Sequence, residues 1–296
     1  MPGSHQFEHA RYRVTCGKPL QLKSCSTTAP SNMKLSKSDA RKALSENVKS
    51  LAAMQRVLWA SRSHSLLIIL QAMDAAGKDG TIRHVMSGVN PQGCSVHSFG
   101  APSSEELEHH FLWRAARYLP ERGRITLFNR SYYEEVLIVR VHTELLEPQR
   151  LPHVDSTEEL WGIRYDEINS FERSLVRHGT PVLKFFLHLS RDEQRKRILE
   201  RLDNPAKNWK FCRSDIEERE HWSAYQHAYE TMLNETSTDC APWYVIPADD
   251  KWFTRALVAD IVRSTLADLG LQYPNSSLDE ESLRKARQQL IEEHEN

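Results

Sequence analysis

Short apolar runs alternate with longer amphipathic segments along most of the chain. Residues 65–70 form an apolar run of strand length, and from residue 36 to 62 the apolar positions recur every three or four residues, as on one face of a helix. Because strands and helices continue to alternate, the pattern favours an α/β protein with one parallel sheet and helices on both faces. The further strands are predicted at 94–99, 124–128, 181–189 and 241–246, and the further helices at 81–86, at 102–118, at 156–178, from Ser190, at 214–235 and at 251–268.

The two ends of the chain show different patterns. Residues 1–34 are rich in Gly, Pro, Ser and Thr, which predicts an extended or flexible N-terminal arm. Residues 35–270 are expected to form one domain. Residues 271–296 combine a helical pattern with high charge, so we expect a peripheral helical tail.

Composition restricts the classes of partner. The 296 residues carry a net charge of −1, so no global field favours nucleic acid or a membrane surface, and we expect neither as a partner. No apolar run approaches the span of a bilayer, and the N-terminus lacks an apolar signal core. The five cysteines are scattered and lack metal-binding spacing, which indicates reduced thiols in a cytoplasmic protein. They are Cys16, Cys25, Cys94, Cys212 and Cys240.

A loop of small residues follows the first predicted strand and ends in Gly77-Lys78. Gly77 lets the backbone approach a phosphate, the N–H groups of the loop and the next helix form an anion site, and Lys78 adds a positive charge. The loop departs from the usual pattern, with Ala72 at the first glycine position and Asp79 in place of Ser or Thr. Asp74 would repel a phosphate unless Mg²⁺ lay between them. A phosphate site with metal is indicated, although a turn that uses Gly and Asp only for its geometry remains the alternative.

Two more segments follow strands and therefore lie at the same edge of the sheet. Arg130 could hold two phosphate oxygens, but a surface arginine at a strand end fits its position equally well. Glu134 and Glu135 would begin a helix, where the dipole alone favours acids. From residue 191 to 213, eight Lys and Arg against four acids give 8 − 4 = +4. Such a run is usually a solvated helix face, but its Pro-containing break predicts a mobile lid at about 203–220.

Histidine and aromatic residues indicate no separate site. His109, His110 and His142 lack metal-binding spacing and are interpreted as ordinary histidines. The aromatic residues of the predicted lid and the following helix are interpreted as packing residues rather than a base-stacking platform. They are Trp209, Trp222, Tyr225 and Tyr229.

Several motifs, in order along the chain, resemble those of the polyphosphate kinase 2 family. They are Ala72-Met-Asp-Ala-Ala-Gly-Lys-Asp-Gly80, His84-Val-Met-Ser-Gly-Val-Asn-Pro-Gln-Gly93, Leu112-Trp-Arg114, Phe128-Asn-Arg-Ser-Tyr-Tyr-Glu-Glu-Val136 and Arg201-Leu-Asp-Asn-Pro-Ala-Lys-Asn-Trp-Lys-Phe211. The resemblance covers about residues 40–265. It implies a P-loop kinase-like three-layer αβα sandwich with a parallel five-stranded sheet and a helical lid. It also implies Mg²⁺, with Mn²⁺ as a substitute, and self-association to a dimer or tetramer.

The activity implied by the resemblance is transfer of a phosphoryl group from inorganic polyphosphate to AMP and/or ADP, giving ADP and ATP, in one or both directions. Adenine nucleotides are the expected substrates, with guanine nucleotides as a further option. An ATP-dependent nucleoside or nucleotide kinase of P-loop fold is one alternative. A non-catalytic regulator that binds polyphosphate or nucleotide is another.

The family motifs imply roles for individual residues. Asp74 would hold Mg²⁺ and organise the acceptor phosphate, and Arg130 would stabilise the transferring charge. Lys78 and Glu134 complete the expected catalytic set. The expected phosphate- and nucleotide-binding residues are Ala75, Ala76, Gly77, Asp79, Gly80, Thr81, Arg83, Asn129, Lys207, Lys210 and Arg213.

The sequence departs from many family members at Asn129, where they have aspartate. A neutral amide is a poor magnesium ligand, so more of the metal binding would depend on Asp74. The variant motif 129–134 resembles the class III subgroup, which accepts AMP as well as ADP. That resemblance makes Glu134 a candidate for binding a second Mg²⁺ or its waters.

Overall fold

The computed structural model describes residues 7–31, 36–152 and 156–293. Its centre is a parallel five-stranded sheet in the order β2-β3-β1-β4-β5. Every residue of β1 and β4 is buried, as expected for strands covered on both faces. The parallel sheet predicted from the sequence is thereby confirmed. The strands are β1 Leu66–Gln71, β2 Cys94–Ser98, β3 Ile125–Asn129, β4 Val182–His188 and β5 Trp243–Pro247.

Helices cover both faces of the sheet. Alternate side chains of each strand point to opposite faces, so the sheet contributes to two apolar cores. One core contains residues of α1, α2 and α10, and the other contains residues of α6 and α9. The helices are α1 Lys37–Ser61, α2 Lys78–Val85, α3 Ser104–Leu107, α4 Trp113–Ala116, α5 Ile138–Val141, α6 Thr157–Arg177, α7 Arg191–Leu202, α8 Ser214–Glu217, α9 Trp222–Thr236, α10 Lys251–Asp268 and α11 Glu280–Glu292.

Serine side chains cap the starts of four helices, α1, α3, α6 and α7. Ser36 accepts a hydrogen bond from the Asp39 N–H in a capping box at α1, and Ser190 accepts one from the Glu193 N–H at α7. Ser156 caps α6 in the same way. These caps satisfy amide groups that have no partner inside a helix, so the helix starts are readable from the sequence.

Two predicted helices are interrupted. The helix expected at 102–118 is split into α3 and α4, and between them Phe111 turns into the core with 8% of its surface exposed. The helix expected at 214–235 is split into α8 and α9, and between them Glu218 contacts His142, 76 residues away along the chain, at 3.0 Å. In both places tertiary contacts override a continuous helical pattern.

The segment 7–31 packs against the domain. It runs beside the outer edge of β5, where the Val14 N–H donates to the Trp243 carbonyl at 2.9 Å and the Val245 N–H donates to the Tyr12 carbonyl at 2.8 Å. Phe7 lies edge-on against another aromatic ring in the core and is 1% exposed. The described part of this arm is therefore anchored to the domain by a few buried side chains, although most of its residues are exposed.

The tail helix α11 has an exposed surface with no buried residue. Within the described ranges, no helix combines the length and apolarity needed to cross a membrane. The five cysteines are free thiols.

Candidate functional site

A cavity of about 630 Å³ opens at the carboxyl ends of the strands. The loop after β1 and the start of α2 form its floor, and the ends of β2 and β3 form one side. Residues of α7, of the 203–220 segment and of α10 complete the walls. The three segments singled out from the sequence therefore meet in one place, as the geometry of a parallel sheet predicts.

The loop after β1 reaches α2 through two residues in the left-handed region, Ala75 with φ 62° and Gly77 with φ 100°. Gly77 directly precedes α2, and a side chain there would be strained. The first N–H groups of α2 have no partner inside the helix, and together with the helix dipole they form an anion site.

Arg197 of α7 fixes this loop from behind. Its guanidinium donates to the carbonyls of Ala75 at 3.2 Å and Ala76 at 2.9 Å. On its other side it donates to the carbonyls of Ala248 at 2.7 Å and Asp249 at 2.9 Å, after β5. The side chain is buried and joins the loop after β1 to the loop after β5. The loop carbonyls are therefore occupied, and the N–H groups of α2 remain available to an anion.

Lys78 lies under the loop and is 9% exposed. Its ammonium group donates to the Ala72 carbonyl at 2.9 Å and weakly to the Met73 carbonyl at 3.4 Å. Burial lowers the pKa of Lys78, and the nearby Arg130 cation lowers it further. A phosphate in the cavity would oppose this lowering, because its negative charge favours the charged form of Lys78.

Arg130 lies between two carboxylates. It donates to Asp74 Oδ1 at 2.6 Å and pairs with Glu134 Oε2 at 3.6 Å. Although burial opposes its charge, Glu134 and Asp74 raise the pKa of Arg130. Burial raises the pKa of Glu134, against the opposing effects of Arg130 and Lys78. The backbone of Arg130 has φ 64°, an uncommon conformation for a non-glycine residue and one that recurs at functional sites.

Asp79 joins the start of α2 to two other segments. It accepts hydrogen bonds from Asn129 Nδ2 at 2.9 Å and from Lys210 Nζ at 3.1 Å. Burial opposes ionisation, but these donors together lower the pKa of Asp79. The residue after Lys78 thus holds the 203–220 segment near the loop.

A buried polar network supports the turn that carries Glu134. Glu172 accepts hydrogen bonds from the hydroxyls of Tyr132 at 2.8 Å and Tyr133 at 2.7 Å, and from Lys184 Nζ at 2.6 Å. The Lys184 and Glu172 side chains are fully buried. The two tyrosines of the motif therefore anchor the turn from below.

Comparison with known proteins matches residues 34–273 to the family described as polyphosphate kinase 2 (PPK2). The chain belongs to the polyphosphate kinase 2 family. It is 51% identical over 258 residues to an ADP-polyphosphate phosphotransferase of Rhodopseudomonas palustris, across 86% of this chain and 89% of that protein. It is 46% identical over 273 residues to an AMP/ADP-polyphosphate phosphotransferase of Meiothermus ruber, across 92% and 98%.

A solved structure of the same family has the same fold. The crystal structure of polyphosphate kinase 2 from Arthrobacter aurescens TC1 matches with a TM-score of 0.86 and 37% identity, over 94% of this chain and 95% of that one. The P-loop kinase-like α/β fold implied by the sequence motifs is confirmed, and the chain is a phosphotransferase of this family.

Most of the expected polyphosphate kinase 2 site residues line the cavity. They are Asp74, Ala75, Ala76, Gly77, Lys78, Asp79, Gly80, Thr81, Asn129, Arg130, Lys207 and Lys210. Three others do not form its walls. Glu134 lies behind Arg130, Arg83 is exposed on α2, and Arg213 is 91% exposed and pairs with Glu217 at 3.3 Å. For Arg213 the reason is that the residue begins α8 pointing to solvent, so spacing along the lid motif did not predict its direction.

Of the ten cavity residues that are absent from the set expected for the site, four bear most on its charge and shape. Arg197 counted only toward the basic patch, while Lys251 and Arg255 begin the helix after β5. Their position beyond the carboxyl end of a strand was the available signal. Trp209 corrects the packing interpretation, since it lines the cavity and is 77% exposed. Tyr225 and Tyr229 are buried as expected.

The cavity offers Mg²⁺ a carboxylate and an amide oxygen. No group of three or more His, Cys, Asp or Glu side chains suited to a metal occurs in the ranges that the structure describes. Asp74 nevertheless offers a carboxylate that is 34% exposed, and the buried Asn129 Oδ1 accepts no hydrogen bond from the described residues. Because Mg²⁺ usually takes one or two carboxylates together with substrate phosphates and water, this set fits the ion when phosphate is present.

Proposed function

We propose that the chain transfers a phosphoryl group from inorganic polyphosphate to ADP and AMP, giving ATP and ADP. The observation that carries the proposal is one cavity in which a phosphate loop, the Asp74–Arg130 pair and lysines of the 203–220 segment meet. Family membership and the names of the two relatives support the same substrates. Phosphoryl transfer depends on positioning and charge neutralisation, which these parts supply.

Residues at different positions in the cavity would have different roles in the transfer. The N–H groups at the start of α2 and Lys78 hold the phosphate next to the transferred group, and Arg130 stabilises charge on that group. Lys207 and Lys210 close over the phosphates as part of a lid and exclude water. Asp74 would hold Mg²⁺, which neutralises phosphate charge when bound.

Glu134 is the proposed determinant of AMP use. AMP has one phosphate where ADP has two, so the AMP phosphate must be held deeper or through a metal ion. Glu134 Oε2 lies 3.6 Å from Nη1 of Arg130, whereas Asp74 pairs with Nη2. The Glu134 side chain is 19% exposed. There it could orient a second Mg²⁺ or its waters.

Initial-rate assays test the function. Purified protein, long-chain polyphosphate and Mg²⁺ are combined with ADP or AMP, and the products are separated by chromatography. We expect ATP from ADP and ADP from AMP, with little transfer when ATP replaces polyphosphate as donor to AMP. Efficient use of ATP alone would instead identify an ATP-dependent nucleotide kinase. Binding of polyphosphate without transfer would identify a regulator.

The Glu134→Gln variant tests the assignment of AMP use. The variant keeps the size of the side chain and removes its charge. We expect a fall of about tenfold or more in the AMP rate with the ADP rate largely kept, because only AMP depends on the additional metal contact. Equal loss of both rates would contradict the role of Glu134, and a parent that uses only ADP would do so as well.

Assembly and location are further parts of the proposal. A homo-oligomer, dimer or tetramer, in the cytoplasm is supported by the family resemblance and by the five free cysteines. Light scattering after size-exclusion chromatography measures the assembly. Replacing adenine by guanine nucleotides in the rate assay measures base selectivity.

A further inference from the structure

The cavity has a second group of basic residues, carried mainly by the helix that follows β5. Lys251 and Arg255 lie in the first turns of α10 and both line the cavity. Arg83 lies on α2 just outside it, exposed and close enough to influence the pKa of Arg255. We name these three residues the α10 wall. Neither the family motifs nor the comparisons assign Lys251 or Arg255 a role.

Arg255 is held over the start of α2 by a neutral acceptor. His84 Nδ1 lies 2.7 Å from the Gly80 carbonyl and donates to it, so His84 Nε2 accepts from Arg255 Nη1 at 3.2 Å. The other terminal nitrogen of Arg255 passes so close to Gly80 that an added Cβ would lie 3.4 Å from it. The guanidinium is therefore fixed beside the anion site of α2 while its charge is not neutralised by the contact.

The charges around this wall are unbalanced. Arg255 has no carboxylate partner among the ion pairs of the described residues, and the charged neighbours that act on it are Arg83 and Arg197. Burial and these cations lower its pKa. Burial also lowers the pKa of Lys251. The cations Arg197 and Lys207 lower it further, and the acids Glu200 and Glu193 oppose them. Cations that crowd one another in this way are stabilised by a bound polyanion.

The position of the wall indicates which part of a polyanion it meets. The acceptor must lie beside Asp74 and Arg130, so the donor chain continues away from them across the start of α2. Arg255, over Gly80, and then Arg83, farther along α2, lie in that direction. A nucleotide donor would place a ribose and base there, which do not need three cations, whereas polyphosphate continues as a row of anionic phosphates.

The geometry points to the α10 wall as a binding site for the distal phosphates of inorganic polyphosphate. This inference rests on the proposed function. It predicts that the enzyme distinguishes donors by length, because a chain too short to pass Gly80 meets the loop and the lid but not Arg255 and Arg83. Long chains should therefore bind more tightly than tripolyphosphate.

The test removes the two charges of the wall that lie beyond the reach of a short donor. The variant Arg83→Gln/Arg255→Gln is compared with the control Lys285→Gln/Arg287→Gln, which removes two positive charges from the exposed face of α11. KM is measured for long-chain polyphosphate, tripolyphosphate and ADP. We expect KM for the long chain to rise about tenfold in the wall variant, with a smaller dependence on salt, because two ionic contacts are lost. KM for tripolyphosphate and for ADP should change less than twofold, as should all constants of the control.

Equal changes for both donor lengths, or the same change in the control, would overturn the inference. Calorimetric binding of long-chain polyphosphate and of tripolyphosphate to parent and variants gives the same comparison without catalysis. A parent that binds both anions but transfers no phosphoryl group would refute the proposed function, and the binding data would still decide the role of the wall. Arg255→Gln, checked for an unchanged melting temperature, should reproduce the length-dependent effect.

Discussion

Arg130 pairs with two acids that differ in their distance from it and in their exposure. Asp74 makes the shorter contact, at 2.6 Å, and faces the cavity, while Glu134 is farther away and more enclosed. When a phosphate approaches Arg130, it competes with Asp74 for the same guanidinium. Asp74 would then be free to hold the proposed Mg²⁺, so substrate binding and metal binding should support each other.

Replacing Asp74 by asparagine tests this arrangement. We expect Asp74→Asn to lower phosphoryl transfer by about 100-fold or more at saturating Mg²⁺, since the amide cannot neutralise the ion. Stability should change little because the Asp74–Arg130 pair is one-third exposed. Rate assays at several Mg²⁺ concentrations and a melting curve make the measurement. Near-normal turnover at saturating Mg²⁺ would refute the metal role.

Glu134 should make stability depend on pH. Its pKa is raised by burial, so folding favours the protonated form. The contribution of Glu134 to the free energy of unfolding is therefore greatest below the ordinary glutamate pKa and falls as pH rises through the raised value. We expect Glu134→Gln to melt at a higher temperature than the parent at about pH 8, with the difference shrinking toward about pH 5. A difference that is constant with pH would contradict this.

At the scale of elements, the phosphate loop and the proposed lid already touch. The contact is the ion pair between Lys210 and Asp79, made by partly exposed side chains. Substrate phosphates would offer Lys210 a stronger partner than one carboxylate. Closure of the proposed lid would therefore exchange one ionic contact for several.

The three basic residues expected to bind phosphate from the lid do not all face the cavity. Neutralising Lys207 and Lys210 to glutamine should raise KM for polyphosphate about tenfold and leave KM for ADP nearly unchanged, because both line the cavity. Arg213→Gln should have almost no effect, since that side chain lies in solvent beside Glu217. Steady-state kinetics at low and high salt measure both. A strong effect of Arg213→Gln would show that the lid closes in a different orientation.

The elements differ in how well the sequence predicts them. β1 is predicted at 65–70 and found at Leu66–Gln71, because an apolar run between polar flanks is a local signal. The break between α3 and α4 is not predicted, because it depends on the burial of Phe111 in the tertiary core. The site shows the same division. Asp74 and Lys78 belong to one short motif, whereas Arg197 acts on Ala76 and Ala248, which are 121 and 51 residues away along the chain.

Across the whole molecule, the Lys184–Glu172 pair links elements from distant parts of the sequence. Lys184 of β4 also donates to the Thr236 carbonyl at the end of α9, and Glu172 belongs to α6. Through Tyr132 and Tyr133 the pair reaches the turn before Glu134. One buried network thus connects the core beside α6 and α9 with the edge of the sheet where the cavity lies.

Breaking this network should destabilise the whole fold. Glu172→Ala leaves a buried ammonium and two hydroxyls without their acceptor, so we expect a loss of about 3–5 kcal/mol in the free energy of unfolding. The double variant Glu172→Leu/Lys184→Met removes both charges and should recover part of the loss. Urea unfolding measures each. If the double variant is less stable than Glu172→Ala, the unpaired charge is not the cause.

The contacts of Arg197 also determine the thermodynamics of phosphate binding. Its guanidinium already joins the carbonyls of two loops, so the phosphate loop loses its conformational entropy during folding and not when the ligand arrives. An arriving phosphate then orders little backbone, and its binding should be driven by the enthalpy of charge-assisted hydrogen bonds with a small entropic penalty. A loop of fixed shape also binds the terminal phosphates of different donors with the same contacts. Selectivity between donors must therefore come from cavity residues that contact the donor beyond its terminal phosphates.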